Sequence, residues 1–388
     1  MKVYEIATGY TPIPARRGAA TEIVVENLTR GLLGLGIPTE ILDQKVLCRQ
    51  DCGLPIREVP VPRWLGDADT SLGLRHKLRR VVYSLCLATQ LEKLLKSEKH
   101  PTVLHFHNQY NLFFFLLFTS RRLRRKALIA YTNHSGIWRL PWAQIRGTIA
   151  RRYFQEALAM KAADLVFVLN EETKENLTAH LAIPEERILT VRNGVDVDIF
   201  HPLTPEQREE NLEKLGLAGK TVILQAGSVC ENKGQLRTLE TLAPMLKERE
   251  DLVFAYVGAV VEEDYRATVE EKARQLNLAD RVRWLGAAAP GAEMNRLYDL
   301  AAVTVLSSRY EGFPLVAAEA LAAGAPVVTP FPIGPGCAES VEEALLHREE
   351  LSKAGLAFAR QELTWAAVAR DYAKTWEDAL CQRNSTAR

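Results

Sequence analysis

Short apolar runs alternate along the first half of the chain with longer segments in which apolar residues recur every three or four positions. The runs predict buried β-strands, and the longer segments, at Ala20–Leu35 and Gly147–Ala162, predict amphipathic helices. The predicted strands of this half are Lys2–Thr8, Val103–His107, Ala127–Thr132, Asp164–Leu169 and Arg187–Val191. Strands that alternate with helices of about ten residues or more indicate βαβ units and a parallel sheet.

The same alternation starts again after a polar stretch, residues 193–220, that contains Pro202 and Pro205. The predicted strands of this second series are Thr221–Ala226, Leu252–Val257, Arg281–Leu285, Val303–Leu306 and Pro326–Thr329. The helices predicted beside them are Gly234–Leu246, Tyr265–Leu276, Met294–Ala301 and Leu315–Ala323. Two separate α/β series with a polar stretch between them indicate two domains.

We therefore expect an α/β protein with two Rossmann-like, doubly wound domains, residues 1–196 and 197–360, that face each other across a cleft. In such sheets ligands bind beyond the carboxyl ends of the strands. Residues 361–388 carry large apolar side chains at helical spacing, which predicts a C-terminal closing helix that packs back across the domain junction. Those side chains are Trp365, Val368, Tyr372 and Trp376.

Charge is divided unevenly between the two predicted domains. The formal net charge of the 388-residue chain is only +1, which argues against a nucleic-acid-binding protein. Residues 1–196 nevertheless hold 28 Lys and Arg against 19 Asp and Glu, whereas residues 197–388 hold 21 against 29. The basic clusters at 75–80 and 121–126 favour either an anionic partner, such as a phosphorylated acceptor or an acidic membrane surface, or simply solvated helix faces.

Cysteine usage and the longest apolar run bear on location. The six cysteines form no C-x-x-C pair and predict neither a disulfide framework nor a metal site. The first residues lack the apolar core of a signal peptide. The longest apolar run, Leu112–Phe118, is too short to span a bilayer, so it predicts either a buried helix or a membrane contact. We expect a cytoplasmic protein, with peripheral contact at the inner membrane face through the basic N-terminal domain.

The strongest chemical signal is the stretch 307–324, which reads SSRYEGFPLVAAEALAAG after a predicted strand. Gly312 permits a tight turn, and Pro314 suits the first position of a helix. The free N–H groups of Leu315 and Val316 would then form an anion site. Carboxylates beside such a site, here Glu311 and Glu319, are natural partners of sugar hydroxyls. Phosphate flanked by hydroxyls describes a nucleotide sugar.

This stretch resembles the E-x7-E motif of retaining glycosyltransferases, and EGFPLVAAEALAAG is similar to glycosyltransferase family 4, whose members have the two-domain GT-B fold. Shorter stretches resemble the family in the same order along most of the chain. They are His105-Phe106-His107, Thr132-Asn133-His134, Arg192-Asn193-Gly194-Val195-Asp196, the loop from Gly227 to Gly234, Val257-Gly258, and Val282–Gly286.

The resemblance implies roles for matching residues. Glu319 would hold the ribose hydroxyls, Glu311 the transferred sugar, and Lys233 the leaving diphosphate, while His134 would lie beside the transferred sugar. Glu311, Lys233 and His134 are thus the implied catalytic residues. The implied donor-binding residues are Gly18, Gly227, Ser228, Lys233, Arg309, Gly312, Phe313, Pro314, Leu315, Val316 and Glu319. The resemblance implies no cofactor and no metal, and His105 with His107 is interpreted as packing.

The chain departs from the family pattern at three places. Ser228 stands where the family usually has Arg, and Arg309 is a candidate to compensate. One N-terminal glycine, Gly18, remains of a usual pair. The segment after Val328 is short. The family usually continues with a glycine-rich loop, a Glu, a further strand and a helix pair, whereas this chain leads quickly into helical sequence, as if a few tens of residues were missing.

We expect a retaining glycosyltransferase that moves a sugar from a UDP- or GDP-sugar to a cell-envelope, spore-coat or polysaccharide acceptor, which could be a glycan, a lipid-linked molecule or a protein. The departures keep an alternative open, a catalytically weakened relative that binds nucleotide sugar or acts as a scaffold. A third hypothesis is a nucleotide-sugar hydrolase or epimerase. Trp138 and Trp142 are expected either to stack on a sugar or to close the core.

Overall fold

The computed structural model describes residues 1–14, 20–65 and 74–386, and the chain divides into two compact units. The first unit consists of Met1–Gly194 together with Trp365–Arg388, and the second unit is Val195–Thr364. Each unit has its own parallel sheet. The prediction of two doubly wound α/β domains is therefore confirmed.

In the described part of the first unit, the sheet has seven parallel strands in the order β3-β2-β1-β4-β5-β6-β7. The strands are β1 (Lys2–Ile6), β2 (Thr39–Gln44), β3 (Ile56–Val59), β4 (Thr102–Phe106), β5 (Ala127–Thr132), β6 (Leu165–Val168) and β7 (Ile188–Thr190). The apolar runs predicted five of them and missed β2 and β3, whose sequences TEILDQ and IREV are too polar to stand out.

Helices cover this sheet and connect its strands. They are α1 (Ala20–Gly34), α2 (Leu74–Ser97), α3 (Gln109–Phe118), α4 (Arg121–Arg124), α5 (Trp142–Arg152), α6 (Phe154–Ala162) and α7 (Glu171–Leu181). The segment predicted as one helix at 147–162 is thus two helices, divided at Tyr153. Polar side chains fix several helix starts: Asn108 accepts the N–H of Tyr110 at the start of α3, and Asn170 accepts that of Thr173 in α7.

The sheet of the second unit has six parallel strands in the order β10-β9-β8-β11-β12-β13. The strands are β8 (Thr221–Ala226), β9 (Leu252–Val257), β10 (Val282–Trp284), β11 (Val303–Val305), β12 (Val327–Val328) and β13 (Cys337–Ala338). The helices are α8 (Pro205–Lys214), α9 (Gln235–Glu248), α10 (Glu263–Gln275), α11 (Ala292–Leu300), α12 (Leu315–Ala322), α13 (Val341–Leu346) and α14 (Arg348–Glu362).

The region after Val328 holds one strand that the sequence pattern did not predict. The sequence indicated helical segments there, and the structure has α13 and α14, but it also has β13, which pairs with β12. A two-residue strand whose Cys337 and Ala338 are not β-branched gives no periodic signal, so the sequence pattern could not show it. That this region is a few tens of residues shorter than in the family stays a prediction.

The last helix, α15 (Trp365–Thr386), belongs to the first unit and packs against α1. Trp376 and Tyr372 are fully buried, and Trp376 packs on Phe167 of β6 with ring centroids 6.2 Å apart. The helical spacing of aromatic residues therefore correctly predicted a helix with one buried face. Among the residues that the structure describes, no helix is both long and apolar enough to cross a membrane.

Candidate functional site

Each sheet reverses its strand order at one place. The chain leaves β1 toward β2 and β3 and returns on the other side at β4, and it leaves β8 toward β9 and β10 and returns at β11. Where the order reverses, the loops at the carboxyl ends of the two neighbouring strands part and leave a crevice, which is the usual ligand site of open α/β sheets. The candidate residues that the structure describes lie at or beside these two places.

In the second unit, the loop after β8 is held very close to the loop after β9. Gly227 has a φ of +138°, and its N–H donates to the carbonyl of Val257 over 2.9 Å. A Cβ on Gly258, whose φ is +149°, would lie 2.0 Å from the carbonyl oxygen of Gly227. Only glycine fits there, so the backbone at Gly227 and Ser228 is fixed where a ligand could approach it closely.

Lys233, at the end of this loop, forms an ion pair with Glu311 from the loop after β11. The two side chains are 25% and 15% exposed, so both stay accessible from solvent. Arg309 pairs with Glu231, and its backbone N–H donates to the carbonyl of Asn232 over 2.9 Å. The structure therefore brings together Lys233, Glu311 and Arg309, which are up to 78 residues apart in sequence.

Arg237 is a residue of this region that the sequence reasoning missed. It lies in the first turn of α9 and donates to the carbonyl of Ser307, while Thr238 donates to the Ser307 hydroxyl over 2.7 Å. Gly234 makes this contact possible, because a Cβ on it would lie 2.6 Å from the carbonyl oxygen of Ser307. The sequence does contain a sign of Arg237. It lies three residues after the Lys233-Gly234 pair, at the start of a helix that follows a predicted anion-binding loop.

The start of α12 differs in detail from the expectation. Pro314 directly precedes the first helical residue instead of occupying it, and its carbonyl accepts the N–H of Ala317. The N–H of Leu315 donates to the carbonyl of Phe313 over 3.0 Å, so the prediction that it is free is wrong. Pro314, with φ of −78° and ψ of 83°, forms the inverse γ-turn that brings this carbonyl within reach. Gly312, Phe313 and Val316 are partly exposed around the turn.

Glu319 lies in the second turn of α12 and accepts a hydrogen bond from the hydroxyl of Tyr298 over 2.8 Å. Tyr298 is itself fully buried. Burial raises the pKa of Glu319 to about 7, and the Tyr298 hydrogen bond opposes this only in part. The protein thus donates a hydrogen bond to one oxygen of a half-buried carboxylate. A ligand that donates further hydrogen bonds to this carboxylate would stabilise its ionised form.

In the first unit, a buried carboxylate links two histidines at the switch point between β1 and β4. Glu5 and His105 are opposite each other on neighbouring strands, and His105 Nδ1 lies 2.9 Å from Glu5 Oε2. His107 Nε2 lies 2.7 Å from the same oxygen, and all three side chains are fully buried. Burial opposes ionisation of Glu5, but the two histidines outweigh it and lower the pKa of Glu5 to about 2.

The hydrogen-bond pattern assigns the proton positions from Glu5 to His134. Burial, with the neighbouring His105, lowers the pKa of His107 to about 4, so His107 is neutral and its one N–H, at Nε2, points to Glu5. His107 Nδ1 must then accept a hydrogen from His134 Nε2, 2.9 Å away. The pKa of His134 is also well below its usual range because of burial, so His134 is neutral and its Nδ1 carries a lone pair.

Trp138 and Asn133 support the His134 segment from the core. Glu156 accepts hydrogen bonds from Trp138 Nε1 over 2.7 Å, from Asn133 Nδ2 over 2.9 Å and from the Tyr131 hydroxyl over 2.6 Å. Trp138 is fully buried, so of the two expectations for it, core packing is the one observed. Trp142 stacks on His180, with ring centroids 4.6 Å apart.

Glu5, His105 and His107 also place three possible metal ligands within 4.8 Å of one another. Their facing atoms are already joined by hydrogen bonds in a fully buried cluster, and packing explains them without an ion. The expectation of no metal stays a prediction. Gly18 lies outside the described residues. The six cysteines, which include Cys48 and Cys52, are free thiols.

Comparisons with known proteins agree with this geometry. The family model "Glycosyltransferase Family 4" matches residues 21–199, and "Glycosyl transferases group 1" matches residues 207–356. The D-inositol 3-phosphate glycosyltransferase of Thermobifida fusca is 37% identical over 184 residues, which are 45% of this chain and 41% of that protein. The mannosylfructose-phosphate synthase of Agrobacterium fabrum is 27% identical over 46% of this chain and 40% of its own length. The chain thus spans about two fifths of the length of these curated relatives.

Solved structures are similar over nearly the whole chain. HepE of Anabaena in complex with UDP has a TM-score of 0.70 at 16% identity, covering 97% of this chain and 100% of that one. The sucrose-phosphate synthase of Thermosynechococcus elongatus has a TM-score of 0.71 at 18% identity, covering 98% and 99%. At such identities the likeness establishes the GT-B fold alone. The two family models, matched in order across both units, establish more: the chain belongs to the family 4 glycosyltransferases.

Proposed function

We propose that this protein transfers a sugar from a UDP- or GDP-sugar to a cell-envelope, spore-coat or polysaccharide acceptor, with retention of anomeric configuration and without a metal ion. The observation that carries the proposal is the Lys233–Glu311 ion pair beside the tight Gly227 loop at the switch point of the second sheet, with Glu319 following on α12. A cation beside fixed backbone suits a diphosphate, and carboxylates suit hydroxyls.

In this reaction the bond from the anomeric carbon to the diphosphate oxygen breaks, and the acceptor oxygen bonds to the same face of that carbon. The acceptor proton passes to the departing phosphate oxygen, so no protein nucleophile is required. Lys233 neutralises the charge that develops on the diphosphate, and Glu311, its ion-pair partner, contacts the transferred sugar. Catalysis then rests on positioning and electrostatic stabilisation.

The remaining proposed roles follow the positions of the side chains. Glu319 accepts hydrogen bonds from the ribose hydroxyls, which favour its ionised form. Arg309, held at the Gly227 loop through Asn232, provides the positive charge that Ser228 lacks. His134, kept neutral and oriented by His107, contacts the transferred sugar through Nδ1.

The acceptor is proposed from the charge of the first unit and from the names of relatives. The basic excess of residues 1–196 favours an anionic acceptor. Two relatives are named for phosphorylated compounds, D-inositol 3-phosphate and mannosylfructose-phosphate, and another is the putative glycosyltransferase EpsF of Bacillus subtilis. A glycan, a lipid-linked molecule or a protein that carries phosphate fits this preference.

The test is a binding and turnover screen of the purified protein with UDP-, GDP-, ADP-, dTDP- and CMP-sugars. We expect one donor to bind and to release its nucleotide slowly without acceptor. Glu319→Ala should bind that donor more weakly, and Glu349→Ala, an exposed glutamate on α14, should not. If the folded protein binds none of the donors, the transferase proposal is wrong and the weakened-relative alternative replaces it.

A further inference from the structure

One helix of the first unit turns an apolar face outward. α3 contains no charged residue, and its Leu112 and Phe115 are buried in the core. In the last turn of α3, Leu117 and Phe118 are 61% and 57% exposed, and Phe118 stacks on Phe114 with ring centroids 6.1 Å apart. A helix at the surface of a globular protein normally places polar residues there. The outward side of α3 therefore needs another explanation than core packing.

The neighbouring helix extends this face. α3 packs against α6, where Phe154 and Leu158 are 44% and 51% exposed. They are one turn apart on α6 and therefore lie on the same side of it. Four large apolar side chains are thus exposed on two adjacent helices. We call this set, Leu117, Phe118, Phe154 and Leu158, the α3–α6 face.

The stretch of sequence that contains α3, α4 and the start of α6 carries charge of one sign. Between Glu98 and Glu156 the sequence has 57 residues with ten Lys or Arg and not one Asp or Glu. Ser120 directly follows the C-cap of α3, and its side chain accepts the N–H of Leu123 to start α4. This short helix places basic residues immediately beyond Phe118. Those with exposed side chains are Arg121, Arg122, Arg125 and Lys126.

We propose that the α3–α6 face docks on an anionic lipid bilayer, with the apolar side chains at the level of the headgroups and the α4 cluster on lipid phosphates. Exposed aromatic and leucine residues beside a basic cluster are the composition of an interfacial surface. A second copy of this chain is a poorer occupant because two basic clusters would face each other. A nucleic acid would use the arginines but leave the apolar residues in water. This inference does not depend on the transfer reaction.

The experiment is co-sedimentation of the full chain with vesicles of phosphatidylcholine alone and of phosphatidylcholine mixed with phosphatidylglycerol. We expect binding to the anionic vesicles, weakened by salt, and little binding to the neutral ones. The double variant Leu117→Asp with Phe118→Asp should lower the partition coefficient at least tenfold. Leu346→Asp is the matched control, because Leu346 is a 79% exposed leucine on the second unit.

The charge contribution is tested separately with Arg121→Glu combined with Arg122→Glu, which should also lower binding about tenfold, against Lys247→Glu as control. Soluble glycerol phosphate should not compete; if it displaces the protein fully, the site recognises free phosphate and the bilayer proposal fails. The proposal is also overturned if wild type ignores anionic vesicles, if Leu117→Asp with Phe118→Asp binds like wild type, or if that variant only converts a dimer to a monomer. Thermal unfolding and nucleotide-sugar binding of each variant confirm that the fold and donor site are intact.

Discussion

The two switch points of the molecule carry their polar groups in opposite ways. In the second unit, Lys233 and Glu311 stay partly exposed and neutralise each other across two loops. In the first unit, Glu5, His105 and His107 are fully buried at strand ends and are connected by hydrogen bonds through the core. The first arrangement can exchange its internal partner for a ligand, whereas the second cannot without unfolding part of the sheet.

This difference separates two kinds of contribution to one reaction. A partly exposed ion pair contributes little to stability, because water screens it, but it can give its full charge to a bound anion. A buried hydrogen-bonded carboxylate fixes the geometry and protonation of its neighbours, and removing it costs stability. Substitutions in the Lys233–Glu311 pair should therefore change activity alone, and those in the Glu5 cluster should change stability and activity together.

The largest effect is expected for Lys233→Ala. The variant removes the charge that stabilises the leaving diphosphate, and loss of one such group costs about 100-fold in turnover. Its melting temperature should stay close to that of wild type. Steady-state release of nucleotide measures the turnover, and calorimetry measures the melting temperature. The control is Lys247→Ala, because Lys247 is an exposed lysine of α9. Wild-type turnover in Lys233→Ala would exclude Lys233 from the reaction.

Glu319→Ala should weaken donor binding by about 10- to 100-fold, because a hydrogen bond to a charged group is worth roughly 1.5–3 kcal/mol. Titration calorimetry with the donor found in the screen gives the affinity. The chain should still fold, but the buried Tyr298 hydroxyl loses its acceptor, which lowers the free energy of unfolding by about 1–3 kcal/mol. Unchanged affinity would contradict the ribose role and leave Glu319 as a structural residue.

Glu5→Gln tests the other side of the comparison. A glutamine offers its N–H₂ where His107 or His105 donates, so we expect a loss of about 2–3 kcal/mol in the free energy of unfolding. Turnover should fall about tenfold as His134 loses its fixed tautomer. Because the folded pKa of Glu5, about 2, is below its ordinary value, this stabilisation is present above about pH 4.5 and is lost as pH falls toward 2.

The control for Glu5→Gln is Glu40→Gln on β2, whose carboxylate is bonded by the partly exposed Arg57. Its stability should change by less than about 1 kcal/mol. If Glu5→Gln unfolds at the wild-type denaturant concentration, the buried cluster does not stabilise the first unit. If its turnover is lowered while the pH profile is unchanged, Glu5 acts through stability and not through His134.

The smallest effect concerns pH. Glu319 has a folded pKa of about 7, above its ordinary value, so its contribution favours folding below about pH 4.5 and is lost as pH rises through 7. Without donor, Glu319→Gln should therefore gain about 2 kcal/mol relative to wild type between those limits. The pKa of Glu22 is also raised to about 7, but Glu22 titrates in both proteins. Its contribution therefore cancels when their free energies of unfolding are subtracted. The measurement is the free energy of unfolding of both proteins as a function of pH. If the difference between Glu319→Gln and wild type stays constant from about pH 4.5 to 7, Glu319 is not the group that titrates.

Much of the fold could be predicted from the chain because parallel strands buried on both faces are nearly continuous apolar runs. β4, β5, β8 and β9 are of this kind. The polar β2 and the two-residue β13 could not be found, since their strand character comes from the neighbours they pair with. The residues of the second-unit site were recognisable because glycine, proline and two glutamates at fixed spacing form one continuous segment.

Sequence alone determined the alternation of strands and helices, the basic first half and the family of the chain, because these depend on local periodicity, composition and contiguous motifs. Only the tertiary structure decided that Glu5 reaches His107 across 102 residues, that Arg237 meets Ser307, and that Leu117 and Phe118 face solvent. Such contacts depend on strand register and on which helix covers which face. Both are set by the packing of the whole unit, and the residues themselves carry no local sign of it.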